Sequence, residues 1–272
     1  MRGLLEPNAS VSAPQHLLTV WPLIERQIRR AGRIAIFSDF DGTLTSIRRT
    51  PGEVSLREDV RDLLKRLSHK VGVVGIVSGR SLSELQAKVL LRGIWYVGDH
   101  GFSALTPNNR RLDFANQKQR KQMRQVYRFL YSRLMDLKGI GLENKGVTCA
   151  VHYRNSSRQT RERARRVVFS LAEEIPGLAL MRGKKVWELI PRDATNKGEA
   201  VRRILRQVKA THSPRHWLAM YFGDDTTDET VFQGWKGISV AVGKRTRTAA
   251  RFYVRSAVEV RQVLTRLERI AK

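Results

Sequence analysis

Asp39-Phe40-Asp41-Gly42-Thr43 sets two carboxylates one residue apart, so both can point into one crevice, one as nucleophile and the other as proton donor. Gly42 permits a sharp turn there, and Thr43 offers a hydroxyl to an anion. The same residues would also make an Asp-Gly turn with no chemistry. Gly223-Asp224-Asp225-Thr226-Thr227-Asp228-Glu229 carries four acidic side chains within six residues. They repel one another unless a cation or hydrogen-bond donors offset them, which points to a hard-metal site with oxygen ligands. The competing reading is a helix N-terminus, where first-turn acids are favoured by the helix dipole, and Asp228 and Glu229 fit that role. Two weaker signals are Ser78, whose hydroxyl with nearby N–H groups can hold a phosphoryl oxygen, and Lys197, which can do so as a point charge. Taken singly, Ser78 reads first as a helix cap and Lys197 as a solvated charge.

Each of these groups needs an element to position it. Arg33 to Ser38 and Val71 to Val77 are short apolar runs of the kind buried in parallel sheets, and they end at the aspartate pair and at Ser78. Between them, Val60, Leu63, Leu64 and Leu67 fall at helical spacing, giving a βαβ opening. Ser81 to Glu84 spells a capping box for a helix to about Leu90, and a strand follows at Ile94 to Val97. After roughly Leu105 the pattern changes. Met123, Val126, Leu130 and Leu134 mark one side of a long helix, and Val147 to Arg154 alternates as a half-buried strand. A second helix carries Ala164, Val168 and Leu171, and a strand pair covers Leu178 to Met181 and Val186 to Ile190. From Asn196 the parallel pattern resumes, with a helix through Ala200 to Val208, a strand at Trp217 to Phe222 ending at Gly223, a strand at Ile238 to Val242, an edge-like run at Phe252 to Val254 and a closing helix to Ile270. The expected fold is α/β: a Rossmann-like parallel-sheet core in residues 1–105 and 192–272, with an inserted α+β domain in residues 106–191.

The composition is lopsided: 51 Lys+Arg against 25 Asp+Glu give a formal charge of +26. Such a surface attracts anionic substrates, and at low salt also nucleic acid or anionic membranes without specificity. The basic residues are spread along the chain, so a generally solvated basic surface is expected and no specific nucleic-acid partner. A hydrophobic fraction of 41% is enough for a proper core, and no run approaches a membrane span. The first residues hold no convincing secretory h-region, and the single cysteine, Cys149, allows no internal disulfide, so the expectation is cytoplasmic residence without a membrane partner.

The order of the four signals resembles the haloacid dehalogenase superfamily of phosphohydrolases. That resemblance implies a mechanism in which Asp39 attacks phosphorus, Asp41 protonates the leaving oxygen and then activates water, and Thr43, Ser78 and Lys197 hold the phosphoryl oxygens. It also implies Mg²⁺ held by Asp39, the Asp41 backbone carbonyl and Asp224, with Asp225 and Asp228 behind these ligands. Ser78-Gly79-Arg80, Gly98-Asp99-His100-Gly101, Gly141 to Lys145, His152-Tyr153-Arg154, Val186-Trp187-Glu188 and Gly223 to Glu229 are similar to the trehalose-6-phosphate phosphatase family. In that family the residues matching Glu143, Lys145 and Glu188 contact sugar hydroxyls, and Arg80 and His100 join the expected substrate site. The implied protein is a monomer acting on a phosphosugar, its inserted domain swinging on hinges near Ala104–Pro107 and Pro191–Ala194. Open alternatives are a related enzyme for glucosylglycerate phosphate or sucrose phosphate, a phosphomutase, and a non-enzymatic polyanion-binding protein.

Overall fold

The structure is a computed structural model that describes residues 13–46, 54–183, 185–193, 195–211, 216–243, 245 and 247–271; Ala194, in one expected hinge, lies outside them. The chain forms two compact units, Met1–Ile76 with Lys88–Ile94 and Ile204–Lys272, and Val77–Ala87 with Trp95–Arg203.

In the first unit the strands are β1 (Gln15–His16), β2 (Arg33–Asp39), β3 (Val73–Val77), β11 (Trp217–Gly223), β12 (Ile238–Val242) and β13 (Phe252–Val254), in the order β1-β13-β12-β11-β2-β3. The pairings from β1 through to β2 are parallel. Nearly every residue of β2 is buried, as in a strand covered on both faces. The short α7 (Glu229–Phe232) follows β11, and helices α1 (Trp21–Arg30), α2 (Glu58–Lys70) and α8 (Ala257–Ile270) each bury one apolar stripe: Trp21, Ile24 and Ile28; Val60, Leu63, Leu64 and Leu67; Val260, Val263, Leu264 and Leu267. The run Phe252 to Val254 is not an edge. Gln15 pairs with Phe252 and His16 with Tyr253, and the His16 ring is held by Glu259 at 2.8 Å, so a strand too short to show any alternation caps the sheet.

In the second unit, β4 (Trp95–Gly98), β5 (Ser103–Leu105) and β6 (Arg111–Asp113) pair antiparallel in sequence. A separate sheet orders β7 (Gly141–Asn144), β8 (Cys149–His152), β10 (Val186–Pro191) and β9 (Leu178–Gly183). Helices α4 (Gln117–Leu134) and α5 (Arg158–Glu174) cover this sheet through one core that joins Met123, Val126 and Leu130 to Val168, Val151 and Trp187. The α4 N-terminus is set by a full capping box between Asn116 and Gln119. The box expected at Ser81 is half formed: the Glu84 N–H donates to Ser81 Oγ at 3.3 Å, but the Glu84 carboxylate turns to Arg80. Helix α3 (Leu82–Val89) and helix α6 (Lys197–Ala210) begin in this unit. The segment expected to alternate departs from the half-buried pattern at its start, because Thr148, just before β8, and Ala150 within it are as buried as Cys149 and Val151. Thr148 tolerates this by donating its hydroxyl to Glu188 at 2.6 Å.

Candidate active site

Strands β2 and β11 run parallel with Phe222 opposite Ser38, so their carboxyl ends finish side by side. That register brings Asp39, Asp224 and Asp228 together, each offering a carboxylate oxygen within 4.8 Å of the others, with Asp39 and Asp228 buried. Gly42 has φ +83°, and a Cβ there would lie 2.0 Å from Asp224 Oδ2, so backbone and carboxylate meet only because the side chain is missing. Gly223 plays the same part for Asp228, whose Cγ would be 2.3 Å from an added Cβ. The Thr43 hydroxyl donates to Asp224 Oδ1 at 3.1 Å, and Asp41 is half-buried, its backbone bridging to Thr45.

Asp228 accepts from the Tyr221 hydroxyl at 2.8 Å and from the Asp225 N–H at 3.0 Å. Burial, reinforced by the charges of Asp228 and Asp39, pushes the Tyr221 phenol well above its usual range, so it stays protonated as a donor. Asp225 caps the short turn Thr226–Asp228, taking the Thr227 N–H at 2.7 Å, which makes the helix-start reading of this cluster true alongside the convergence of its carboxylates. Arg245 binds Glu229 at 2.8 Å and also donates to the Asp224 carbonyl, fixing the backbone that presents Asp224. Neither Arg245 nor Tyr221 was singled out by the sequence pattern. Tyr221 sits inside an apolar run, and Arg245 lies beyond the acidic cluster with no local motif. An all-oxygen donor set of three converging carboxylates fits a hard divalent cation such as Mg²⁺.

The second unit assembles a different group. After β4, Asp99, His100 and Gly101 have φ values of 52°, 55° and 105°, three consecutive left-handed residues. The Asp99 N–H donates to the Arg80 carbonyl at 2.8 Å and the Ser103 hydroxyl to Asp99 Oδ2 at 2.5 Å. Burial raises the pKa of Asp99 against that hydrogen bond. The turn delivers the His100 ring over Gly79, where a Cβ would come within 2.3 Å of the imidazole. His100 Nε2 meets Glu188 Oε2 at 3.0 Å, while Lys145 Nζ and the Thr148 hydroxyl both reach Glu188 Oε1, at 3.2 and 2.6 Å. Lys145 also donates to the Gly79 carbonyl at 3.3 Å.

Burial works against ionising Glu188, yet His100, Lys145 and Thr148 outweigh it and hold its pKa at about 2. Burial likewise opposes the Lys145 ammonium, and Glu188, Glu143 and Asp99 raise its pKa despite that. His100, Lys145 and Glu188 therefore form one charged, hydrogen-bonded set able to accept from and donate to sugar hydroxyls. Glu143 stands a little apart, joined to His152 at 3.0 Å, a bond that lowers its pKa. Ser78 is buried, its N–H on the Val97 carbonyl at 2.9 Å and its Oγ accepting from the Arg80 N–H at 3.2 Å, and the Arg80 guanidinium pairs with Glu84. Lys197 is buried at the first position of α6. Thr148 and Asp99 complete this set without having been expected in it.

A profile of the trehalose-phosphatase family matches residues 37–261, a span that takes in every residue of both groups. The chain belongs to the trehalose-phosphatase family. Among its relatives is an uncharacterized glycosyl hydrolase of Mycobacterium tuberculosis, 30% identical over 96% of this chain and 20% of the relative. A trehalose-phosphate phosphatase of Mycobacterium ulcerans is 32% identical over 86% of this chain and 61% of its own length. The chain thus spans about a fifth of one and about three fifths of the other. In fold, this trehalose-phosphatase family member is similar to the C. albicans trehalose-6-phosphate phosphatase C-terminal domain, with a TM-score of 0.73 at 21% identity over 94% of this chain and 98% of that one. Mixed α/β architecture around a parallel sheet is common to both.

Proposed function

We propose that this chain is a phosphoric monoester hydrolase that cleaves trehalose 6-phosphate to trehalose and phosphate, acting as a soluble cytoplasmic monomer. The observation that supports it most is the convergence of Asp39, Asp224 and Asp228 at the carboxyl ends of two parallel strands in a chain of the trehalose-phosphatase family. In this reading an Asp39 carboxylate oxygen forms a bond to phosphorus as the bond from phosphorus to the sugar oxygen breaks, and Asp41, protonated, gives its proton to that oxygen. Asp41 then takes a proton from water, the water oxygen bonds to phosphorus, and Asp39 is released as carboxylate. Thr43, Ser78 and Lys197 bind the phosphoryl oxygens, where donors aimed at developing charge act most strongly. Asp39, Asp224 and the Asp41 carbonyl would hold Mg²⁺, with Asp228 and Asp225 behind them, and the bound cation would offset phosphoryl charge. His100, Lys145, Glu188, Glu143 and Arg80 orient the sugar, with domain closure near residues 104–107 and 191–194 keeping bulk water out.

The test is phosphate release from trehalose 6-phosphate, sucrose phosphate and glucosylglycerate phosphate, with and without Mg²⁺, for the wild type beside Asp39→Asn. Mg²⁺-dependent release from trehalose 6-phosphate that drops at least ~10³-fold in the variant is expected. Release from another sugar alone replaces the substrate. No release from any sugar, or undiminished release by Asp39→Asn, overturns the mechanism.

A further inference from the structure

Helices α4 and α5 use their apolar sides in the core against the four-stranded sheet, and what they turn outward is basic. Helix α4 carries Lys118, Arg120, Lys121, Arg124, Arg128 and Arg133 and no acid. The opening half of α5 carries Arg158, Arg161, Arg163, Arg165 and Arg166 against Glu162 alone. Arg120 pairs with Asp113 and Arg165 with Glu162. Among the described residues no salt bridge engages Lys121, Arg124 or Arg128, nor Arg158, Arg163 or Arg166, all of them exposed.

This arrangement works against the helices that carry it. Lys121, Arg124 and Arg128 follow one another at spacings of three and four on the side of α4 opposite Val126 and Leu130, where like charges repel by about 0.2–0.5 kcal/mol per pair. Lys118 and Arg120, and again Arg158 and Arg161, occupy first turns that hold no acid, against the positive end of the helix dipole. By contrast α2, also rich in basic residues, mixes Arg61, Lys65 and Arg66 with Glu58, Asp59 and Asp62. On these two helices, unlike α2, the positive charge is thus left unbalanced by acids of their own, at a cost in stability that an external anion would remove.

We propose that this face binds nucleic acid through its phosphodiester backbone, without reading sequence. Arginine outnumbers lysine on it, and the planar guanidinium matches phosphate oxygens two at a time. Half-exposed Tyr131 stands one turn from Arg128, its ring centroid 6.0 Å from that of Tyr127, a platform on which an unpaired base can stack. Both helices commit their main apolar sides to the protein core, and the exposed Phe129, Tyr131 and Met135 at the end of α4 fall short of the continuous apolar face that insertion into a lipid surface requires. The inference is independent of the phosphatase reading.

Fluorescence anisotropy with a labelled oligonucleotide, single-stranded and as duplex, across a salt series tests it. The triple variant Lys121→Gln/Arg124→Gln/Arg128→Gln is compared with Arg26→Gln/Arg30→Gln/Arg269→Gln, which removes the same charge from exposed positions on α1 and α8. Wild-type binding should weaken with salt, and the α4 variant should lose about tenfold or more in affinity at ~0.1 M salt, its log–log salt slope shallower by about 2 for the single strand and slightly more for the duplex. The α1/α8 variant should stay within about twofold of wild type. Arg158→Gln/Arg163→Gln/Arg166→Gln should reproduce the loss from the other helix. An equal loss in the α1/α8 variant, no wild-type binding at that salt, or capture by phosphatidylserine vesicles with the oligonucleotide left free overturns the proposal.

Discussion

Asp39, Asp224 and Asp228 bring carboxylate oxygens within 4.8 Å of one another, whereas Glu188 gathers Lys145, His100 and Thr148 around a single carboxylate. The first group concentrates like charge and trims it with hydroxyl and backbone donors from Thr43, Tyr221 and Asp225. The second is balanced from within, which is why Glu188 stays ionised although buried. Like charges held this close suit a cation that arrives and stays. A carboxylate already paired with an ammonium and an imidazole suits a neutral, hydroxyl-rich ligand, whose groups exchange with hydrogen bonds already in place.

The contrast breaks first at Gly42. Gly42→Ala forces a left-handed alanine and pushes its Cβ into the Asp224 carboxylate, so phosphate release should fall by about 10³-fold, about 4 kcal/mol of barrier, with circular dichroism unchanged. An unaffected rate would show that the carboxylates need not converge. The internal balance of the second group is tested by acid. Because the Glu188 pKa lies below its ordinary 4.5, its contribution to stability is fully present above that pH and is lost as pH falls toward about 2. Denaturant titrations over that interval should show a loss on the order of 3 kcal/mol that is missing in Glu188→Gln, and equal losses in both proteins would remove Glu188 as the cause. The smallest effect separates support from chemistry: Tyr221→Phe leaves Asp228 one donor short in a buried place and should cost about 1–2 kcal/mol in urea unfolding. No change in midpoint would mean that another donor takes the place of the hydroxyl.

The two groups also differ in how far the sequence exposes them. Asp39 and Asp224 follow strands whose apolar runs are plain in the chain, and the parallel fold then decides where strand ends meet, so local pattern and topology together were enough. The Glu188 group draws on β10, the turn after β4 and the β7–β8 connection, and no local spacing joins these. Alternation puts Thr148 on the solvated side of its strand, whereas its hydroxyl is buried on the carboxylate of Glu188, 40 residues away in the chain. The left-handed run at Asp99, His100 and Gly101 has two non-glycine members, and although Asp and His enter that region more readily than most residues, two in succession are not announced by any local pattern. Strand β1 is two residues long and carries no period at all, while Arg245 acts through a backbone carbonyl that no side-chain motif announces.

The parallel register of β2 and β11 has a consequence in time. Thr43 and Asp224, bonded in the finished site, are 181 residues apart in the chain. At ~5–20 residues per second of synthesis, Thr43 leaves the ribosome about 10–40 s before Asp224 does. Through that interval β2, buried on both faces in the folded protein, is an apolar strand without its β11 neighbour, and the long loop to be closed makes the pairing late and slow. The strand that ends at Asp39 is thus also a segment of the nascent chain that needs protection until β11 has been made.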